Sequence, residues 1–247
     1  MKEPIIFGLV QGLTEFLPIS SSGHLYFLER LFQKPDINKD LLPFFVLLHM
    51  ATLLSIGVFF FKEIKLLFTK KLLLHIFIIT AITGIFGIII EFYLDNFFGN
   101  KYLLTVCFLI NAAVLFNIKV NSGGRTWESM KLKDSFIIGI LQGFSPFPGI
   151  SRSGITIAGL LKKGFTKKDA FNLSFLMAIP VILGAVILKF REIAVNNLFT
   201  LNVLVGFVFA FVSGLLALKL LKKIIILEKM KFFAYYCLLI SIGNLVI

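Results

Sequence analysis

The chain has 247 residues, of which 58% are hydrophobic and 30 are phenylalanine. This composition excludes a water-soluble domain of this size and predicts a polytopic all-α membrane protein. The formal net charge of +12 would suggest a nucleic-acid partner in a soluble protein. The lysines, however, lie in short clusters between apolar segments, as the positive-inside rule predicts for cytoplasmic loops, so we expect no nucleic-acid partner.

The first elements in chain order are two short apolar segments, residues 4–17 and 19–31. A membrane-spanning helix needs about 20 apolar residues, so the pair is predicted to form a re-entrant hairpin instead. The hairpin carries Glu15, a carboxylate that is costly in an apolar segment unless it is paired. It also carries His24, whose imidazole can act as a base or a nucleophile near neutral pH. Both are candidate catalytic residues.

Six full spans are predicted in the rest of the chain, and alternating basic clusters assign their connections to the two sides of the membrane. His49 lies in the first span, where hydrogen bonding to a site and simple packing are both open interpretations. The predicted spans are residues 42–61, 72–94, 102–118, 170–188, 201–218 and 232–247.

Between the third and fourth spans lies QGFSPFPGISRSGIT, residues 142–156. Pro148 and Gly149 interrupt the helix predicted before them, so the segment is expected to form a second hairpin with its polar residues at the turn. Arg152 at membrane depth indicates a functional site, and its guanidinium fork fits a phosphate. Ser151 and Ser153 could add hydroxyl contacts, while Gly149 and Gly154 would let the backbone approach a ligand. A serine-rich cytoplasmic loop is the alternative, which the apolar flanks disfavour.

The two hairpins are related by an internal duplication. A shift of 131 positions aligns QGLTEFLPISSSGH, residues 11–24, with QGFSPFPGISRSGI, residues 142–155. We therefore predict a first repeat at 1–118, a cytoplasmic connection at 119–134 and a second repeat at 135–247. Three spans separate the hairpins, so the repeats are expected to have inverted topology, with both tips near the midplane. Helices that start near Ser20 and Ser151 would then direct positive dipole ends at a shared anion.

These two motifs resemble the signature motifs of the undecaprenyl-diphosphatase family, the bacitracin resistance proteins. The resemblance covers nearly the whole chain. It implies a multi-pass enzyme of the bacterial inner (plasma) membrane whose active site faces outside. Such an enzyme hydrolyses undecaprenyl diphosphate to undecaprenyl phosphate and inorganic phosphate, which recycles the carrier lipid for peptidoglycan synthesis and confers bacitracin resistance.

The same resemblance assigns site residues by motif position. The acidic motif falls on Gln11 and Glu15, and a divalent cation, Mg²⁺ or Ca²⁺, is the expected cofactor with Glu15 as its main protein ligand. Gln11 is the neutral option of that motif and Asn172 stands where many relatives carry Glu, which weakens ligation by two carboxylates. The serine–histidine and arginine motifs fall on Ser20, Ser21, Ser22, His24, Ser151, Arg152, Ser153 and Thr156.

The predicted chemistry is attack of Ser21 on the terminal phosphorus, with His24 or Glu15 taking its proton and Arg152 clamping the phosphate. His24 remains an alternative nucleophile. From a different class, a transporter or flippase for an anionic polyprenyl lipid would also use inverted repeats. The expected partners are the lipid substrate and the membrane, and a homodimer is one option for assembly.

Overall fold

The computed structural model describes residues 2–32, 42–94, 100–118, 123–189 and 200–246. Within these ranges the chain forms ten α-helices and two short 3-10 helices, and an isolated bridge between Arg125 and Phe165 is the only β-type pairing there. The all-helical class predicted from composition is confirmed. The predicted turns around residues 33–41, 95–99, 119–122 and 190–199 lie outside the described residues.

The helices are numbered here in chain order. The 3-10 helices are Glu63–Phe68 and Trp127–Ser129. The α-helices are α1 (Lys2–Phe16), α2 (Ser21–Leu31), α3 (Leu42–Phe59), α4 (Lys70–Leu94), α5 (Lys101–Phe116), α6 (Leu132–Gly143), α7 (Arg152–Lys162), α8 (Lys167–Leu188), α9 (Leu201–Ile226) and α10 (Lys231–Val246).

Three of these helices, α4, α8 and α9, are long and apolar enough to cross a membrane. The other three predicted spans correspond to the shorter apolar helices α3, α5 and α10. Large apolar side chains are exposed along these helices. In a membrane those side chains would contact lipid instead of water, so their exposure would carry no hydration penalty. On α10 these exposed residues are Phe232, Tyr235, Leu239, Ile242, Leu245 and Val246.

The short helices form two pairs, α1–α2 and α6–α7. Within each pair, the second helix packs on the first across the turn that joins them. The second helix of each pair begins at a serine cap. Ser20 Oγ accepts the Gly23 N–H at 3.3 Å, and Ser151 Oγ accepts the Gly154 N–H at 3.2 Å. A serine at this position satisfies one of the free N–H groups of the first turn. The helix starts predicted near Ser20 and Ser151 are therefore confirmed.

The first helix of each pair packs against a long helix from the other half of the chain: α1 lies on α9, and α6 lies on α4. The α1–α9 crossing is so close that a Cβ added to Gly8 would stand 2.3 Å from Gly206 O, and one added to Gly12 would stand 2.3 Å from Ala210 O. Glycine is thus required at this crossing. The two halves of the chain are interlocked by it.

Aromatic rings fill the centre between α1, α3 and α8. The Phe16 and Phe175 rings meet edge to face at 5.6 Å between centroids, and Phe60 stacks on Phe175 at 5.7 Å. All three side chains are fully buried. This aromatic cluster packs α1, α3 and α8 together, and it sets the distance between α3 and α8.

Arg125 ties the connection before α6 to the end of α7. Its Nη1 donates to Lys163 O at 2.9 Å and its Nη2 pairs with Asp134 Oδ2 at 2.6 Å. Burial alone would raise the pKa of the Asp134 carboxyl, but the Arg125 hydrogen bond and the Lys131 N–H outweigh it and hold that pKa below its usual range. The connection is docked on the helices rather than being a free linker.

Candidate active site

The turns of the two helical pairs touch each other at the centre of the molecule. The Gly149 N–H donates to Ser20 Oγ at 2.9 Å. Asn111 on α5 joins both turns, because its Nδ2 donates to Pro18 O at 2.9 Å and its Oδ1 accepts the Ser151 N–H at 3.1 Å. Ser20 therefore acts as a cap and a tie between the turns, where the sequence predicted a substrate contact.

Two glycines allow this close approach. Gly149 has φ +98, a left-handed conformation that favours glycine, and an added Cβ would lie 2.7 Å from Cys107 Cβ. An added Cβ at Gly154 would lie 3.1 Å from Pro18 Cβ. Both glycines were predicted to let the backbone approach a ligand. The structure shows that they let the turns approach protein neighbours.

A cavity of about 350 Å³ opens beside the turns, between α3 and α8. This volume lies in the range that small-molecule sites usually have. Its polar wall comes from the turns and from His49, and its apolar wall comes from α3, α8 and Ile150. The lining residues are Thr14, Glu15, Ser20, Ser21, Ser22, Phe45, Val46, His49, Ser145, Pro146, Ile150, Ser151, Arg152, Val181, Ile182, Ala185, Val186 and Lys189.

Glu15 is the centre of the polar wall. Its Oε2 accepts the Ser21 hydroxyl at 2.6 Å and the Gln11 amide at 3.2 Å, and its Oε1 accepts Arg152 Nη2 at 3.1 Å. The Glu15 and Arg152 side chains are only 8% and 11% exposed. Three predicted site residues, Gln11 from α1, Ser21 from α2 and Arg152 from α7, thus meet at one carboxylate, and both hairpins contribute to it.

The start of α7 holds Arg152 in place. Arg152 Nη1 reaches Ser174 O at 3.4 Å, and the guanidinium lies 5.7 Å from the centre of the Phe175 ring. Thr156 Oγ1 donates to Arg152 O at 2.8 Å and bonds Ser174 Oγ at 2.6 Å. Ser153 Oγ bonds Ser151 Oγ at 3.1 Å. Thr156 and Ser153, predicted to bind substrate, are buried beneath the cavity and support the arginine.

His24 points away from the cavity, toward α10. Its Nδ1 bonds Ser20 O at 2.7 Å and its Nε2 bonds the Tyr236 hydroxyl at 2.9 Å, so both ring nitrogens are engaged. Ser20 itself has φ +69, an uncommon conformation for a residue with a side chain. In this geometry His24 fixes the strained turn that carries Ser21. Ser21 Oγ lies 2.6 Å from Glu15 Oε2, whereas no hydrogen bond joins Ser21 to His24 in the described part of the chain.

Two basic side chains of the cavity were not among the predicted site residues. His49 on α3 presents Nε2 toward Glu15 Oε2 at 3.8 Å, and Lys189 lies on the wall at the far end of α8. The sequence left His49 undecided between hydrogen bonding and packing. A charged residue at the last turn of a span is common at a membrane interface, so Lys189 carried no distinguishing signal.

The donor set does not fit a cation held by the protein. Both oxygens of Glu15 already accept hydrogen bonds, and Gln11 turns an amide N–H, not an oxygen, toward that carboxylate. Across residues 2–32, 42–94, 100–118, 123–189 and 200–246, no group of three His, Cys, Asp or Glu side chains could hold a metal. Glu15 as a metal ligand would have to release Ser21 or Arg152 first.

Residues 4–243 match the family described as Bacitracin resistance protein BacA. The chain is 46% identical over 248 residues to a protein of Thermosipho africanus, with 96% of each chain covered. It is 40% identical over 251 residues to one of Methanococcus vannielii, with 97% of each covered, and 40% identical over 240 residues to one of Thermotoga maritima, with 96% and 97% covered. Each of these relatives carries the name undecaprenyl-diphosphatase.

Proposed function

The chain belongs to the bacitracin resistance protein BacA family, and from that membership we propose that it hydrolyses undecaprenyl diphosphate to undecaprenyl phosphate and inorganic phosphate. The observation that carries the proposal is the 2.6 Å contact from Ser21 Oγ to Glu15 Oε2 inside a cavity that also presents Arg152. A hydroxyl beside a carboxylate is the arrangement of an activated nucleophile. A polyprenyl chain would lie along the apolar wall.

In the first step Ser21 Oγ attacks the terminal phosphorus. The Oγ–P bond forms, the bond from that phosphorus to the bridging oxygen breaks, and undecaprenyl phosphate leaves. Glu15 Oε2 takes the serine proton. Because undecaprenyl phosphate leaves as an anion, its departure does not require a general acid.

Arg152 stabilises the charge of that step. Its guanidinium lies against the same carboxylate, and it fits a phosphate through two parallel donors. The N-terminal ends of α2 and α7, which start at Ser21 and Arg152, add their dipoles on the same side. Removing one preorganised donor of this kind commonly costs about 3 to 4 kcal/mol of transition-state stabilisation.

The remaining site residues have supporting roles in this proposal. Gln11 and His24 orient Glu15 and the Ser20–Ser21 turn. Ser22 and Ser151 offer hydroxyls to the phosphates from the cavity wall. Any Mg²⁺ or Ca²⁺ would arrive with the diphosphate, neutralise part of its charge and take most of its ligands from phosphate and water.

We also propose how the helices are arranged in the membrane. Six spans and two re-entrant hairpins, α1–α2 and α6–α7, form two inverted repeats at 1–118 and 135–247, with the basic ends of the helices in the cytoplasm. Cavity residues of α3 and α8, such as Phe45 and Lys189, lie toward the other ends of their helices. The cavity would then open to the outside of a bacterial inner membrane.

The deciding experiment is phosphate release by the purified protein in detergent micelles with undecaprenyl diphosphate. We expect turnover that stops when Ser21 is replaced by alanine. A protein that moves the lipid across vesicle membranes without releasing phosphate would instead be the flippase considered above. No observation on the described residues favours that alternative.

A further inference from the structure

His49 faces one oxygen of the Glu15 carboxylate, and Arg152 faces the other. Its Nε2 is 3.8 Å from Glu15 Oε2, the oxygen that also accepts the Ser21 hydroxyl. Its Nδ1 lies 2.8 Å from Phe45 O. A carbonyl oxygen only accepts, so the ring hydrogen of neutral His49 is on Nδ1 and the lone pair of Nε2 faces the cavity.

The reaction needs a proton acceptor twice. After Ser21 has been phosphorylated, Glu15 carries the serine proton and cannot take another from water. A second base must therefore activate the water that hydrolyses the phosphoserine. The Glu15 side chain is 8% exposed, whereas the His49 side chain is 35% exposed. At this stage of the reaction His49 can exchange a proton with solvent, whereas Glu15 cannot.

We propose that His49 is the general base of the second half-reaction, and this inference rests on the phosphatase function proposed above. Water attacks the phosphorus of phosphorylated Ser21 and gives a proton to His49 Nε2. The bond from Ser21 Oγ to phosphorus breaks as that oxygen recovers the proton held by Glu15. Inorganic phosphate leaves, and His49 releases its proton to the water of the cavity.

The positions of the groups suit this division. Glu15 Oε2 lies within hydrogen-bond distance of Ser21 Oγ and serves the serine in both directions, first as base and then as acid. His49 Nε2 lies 3.8 Å from the same carboxylate oxygen. Ser21 and His49 therefore both lie near Glu15 Oε2 in the cavity, where a water attacking phosphorylated Ser21 would come within reach of His49. His24 is excluded from this role because both of its ring nitrogens are engaged, by Ser20 O and the Tyr236 hydroxyl, and its side chain does not line the cavity.

The test is rapid-quench kinetics of His49→Gln and His49→Ala with substrate labelled in its terminal phosphate. Both variants should release one undecaprenyl phosphate per enzyme in a burst and then turn over at least about a hundredfold more slowly, the usual contribution of a general base. The label should accumulate on Ser21 as an acid-stable phosphoserine. Imidazole added to His49→Ala should restore turnover and discharge the labelled enzyme.

His75→Gln is the matched control, because His75 is on α4 and bonds Ser135 Oγ at 2.7 Å, away from the cavity. It should show the steady-state rate of the parent and no accumulated label. Unchanged turnover in both His49 variants, or slow turnover without a burst or label, would overturn the assignment. Failure of the parent protein itself to release phosphate would instead overturn the phosphatase function.

Discussion

Ser21 donates its hydroxyl to Glu15 at 2.6 Å, across the turn that ends α1 and begins α2. Ser21 and Glu15 therefore belong to one hairpin, and their contact needs no group from the second half of the chain. What the second half adds is Arg152, on the other oxygen of the same carboxylate. The serine proposed as nucleophile and the arginine proposed as phosphate clamp come from different hairpins and meet through Glu15.

The serine assignment predicts a complete loss of turnover in Ser21→Ala. The variant lacks the atom that attacks phosphorus, so phosphate release should fall to the background rate. Ser241→Ala is a suitable control, since Ser241 Oγ only donates to Leu238 O within α10. Measurement of phosphate release from both variants decides the point. More than a tenth of the parental rate in Ser21→Ala would contradict the assignment.

Arg152→Lys should lower phosphate release by at least about a hundredfold, because a point charge does not replace a planar fork of donors. The loss should appear in kcat rather than in KM alone. Arg30→Lys serves for comparison, as Arg30 Nη1 donates to Asn244 Oδ1 at 3.2 Å, away from the cavity. Near-normal turnover of Arg152→Lys would rule out a bidentate phosphate clamp.

His24 and Tyr236 should behave as one unit. If His24 only orients the Ser20–Ser21 turn, Tyr236→Phe and His24→Gln should each reduce turnover partially, and the double variant should be little worse than His24→Gln. Contacting residues usually show coupling of about 0.5 to 3 kcal/mol in such cycles. Strictly additive effects on kcat would indicate that His24 acts on the substrate independently of Tyr236.

Asp134 should make the fold sensitive to acid. The pKa of its carboxyl is lower in the folded protein than in the unfolded chain, because the Arg125 and Lys131 hydrogen bonds outweigh burial. The stability it contributes is therefore full at neutral pH and is lost as pH falls through the folded pKa. The difference in apparent Tm between the parent and Asp134→Asn should be largest near pH 7 and vanish in acid. A difference independent of pH would contradict this ion-pair account.

The membrane arrangement can be checked with single cysteines in a background lacking Cys107 and Cys237. Lys101→Cys at the start of α5 should react with an impermeant thiol reagent in intact cells. Lys65→Cys and Lys229→Cys, both exposed at the basic ends of the helices, should be protected until the cells are opened. Reversed labelling would place the cavity on the cytoplasmic side.

The aligned motifs predicted two equivalent helix starts, near Ser20 and Ser151. Both starts are present, and the two serines cap them as local rules for helix N-termini favour. The crossing of Gly8 over Gly206 could not be predicted in this way, because it depends on which helix from the other half α1 meets. Sequence spacing along one helix contains no information on that choice.

For the site, the chemistry of Glu15 and Arg152 was visible because buried charges in apolar segments require partners. The ring directions of His24 and His49 could not be predicted from the sequence. His24 lies among hydroxyl residues yet turns its ring to Tyr236, and His49 lies among apolar residues yet faces Glu15. The direction of an imidazole depends on helix rotation in the packed bundle. The neighbours along the chain do not determine it.

The packing of α1 on α9 also sets an order of events during synthesis. Its main partner extends from residue 201 to residue 226, so α1 must wait for the helices between them to be made before its glycine face is covered. Contacts that are distant in sequence form late because a long loop must close first. The Ser21–Glu15 contact lies within one hairpin and does not have to wait for α9. The pair can therefore form before the helix that carries Glu15 is anchored in the bundle through Gly8 and Gly12.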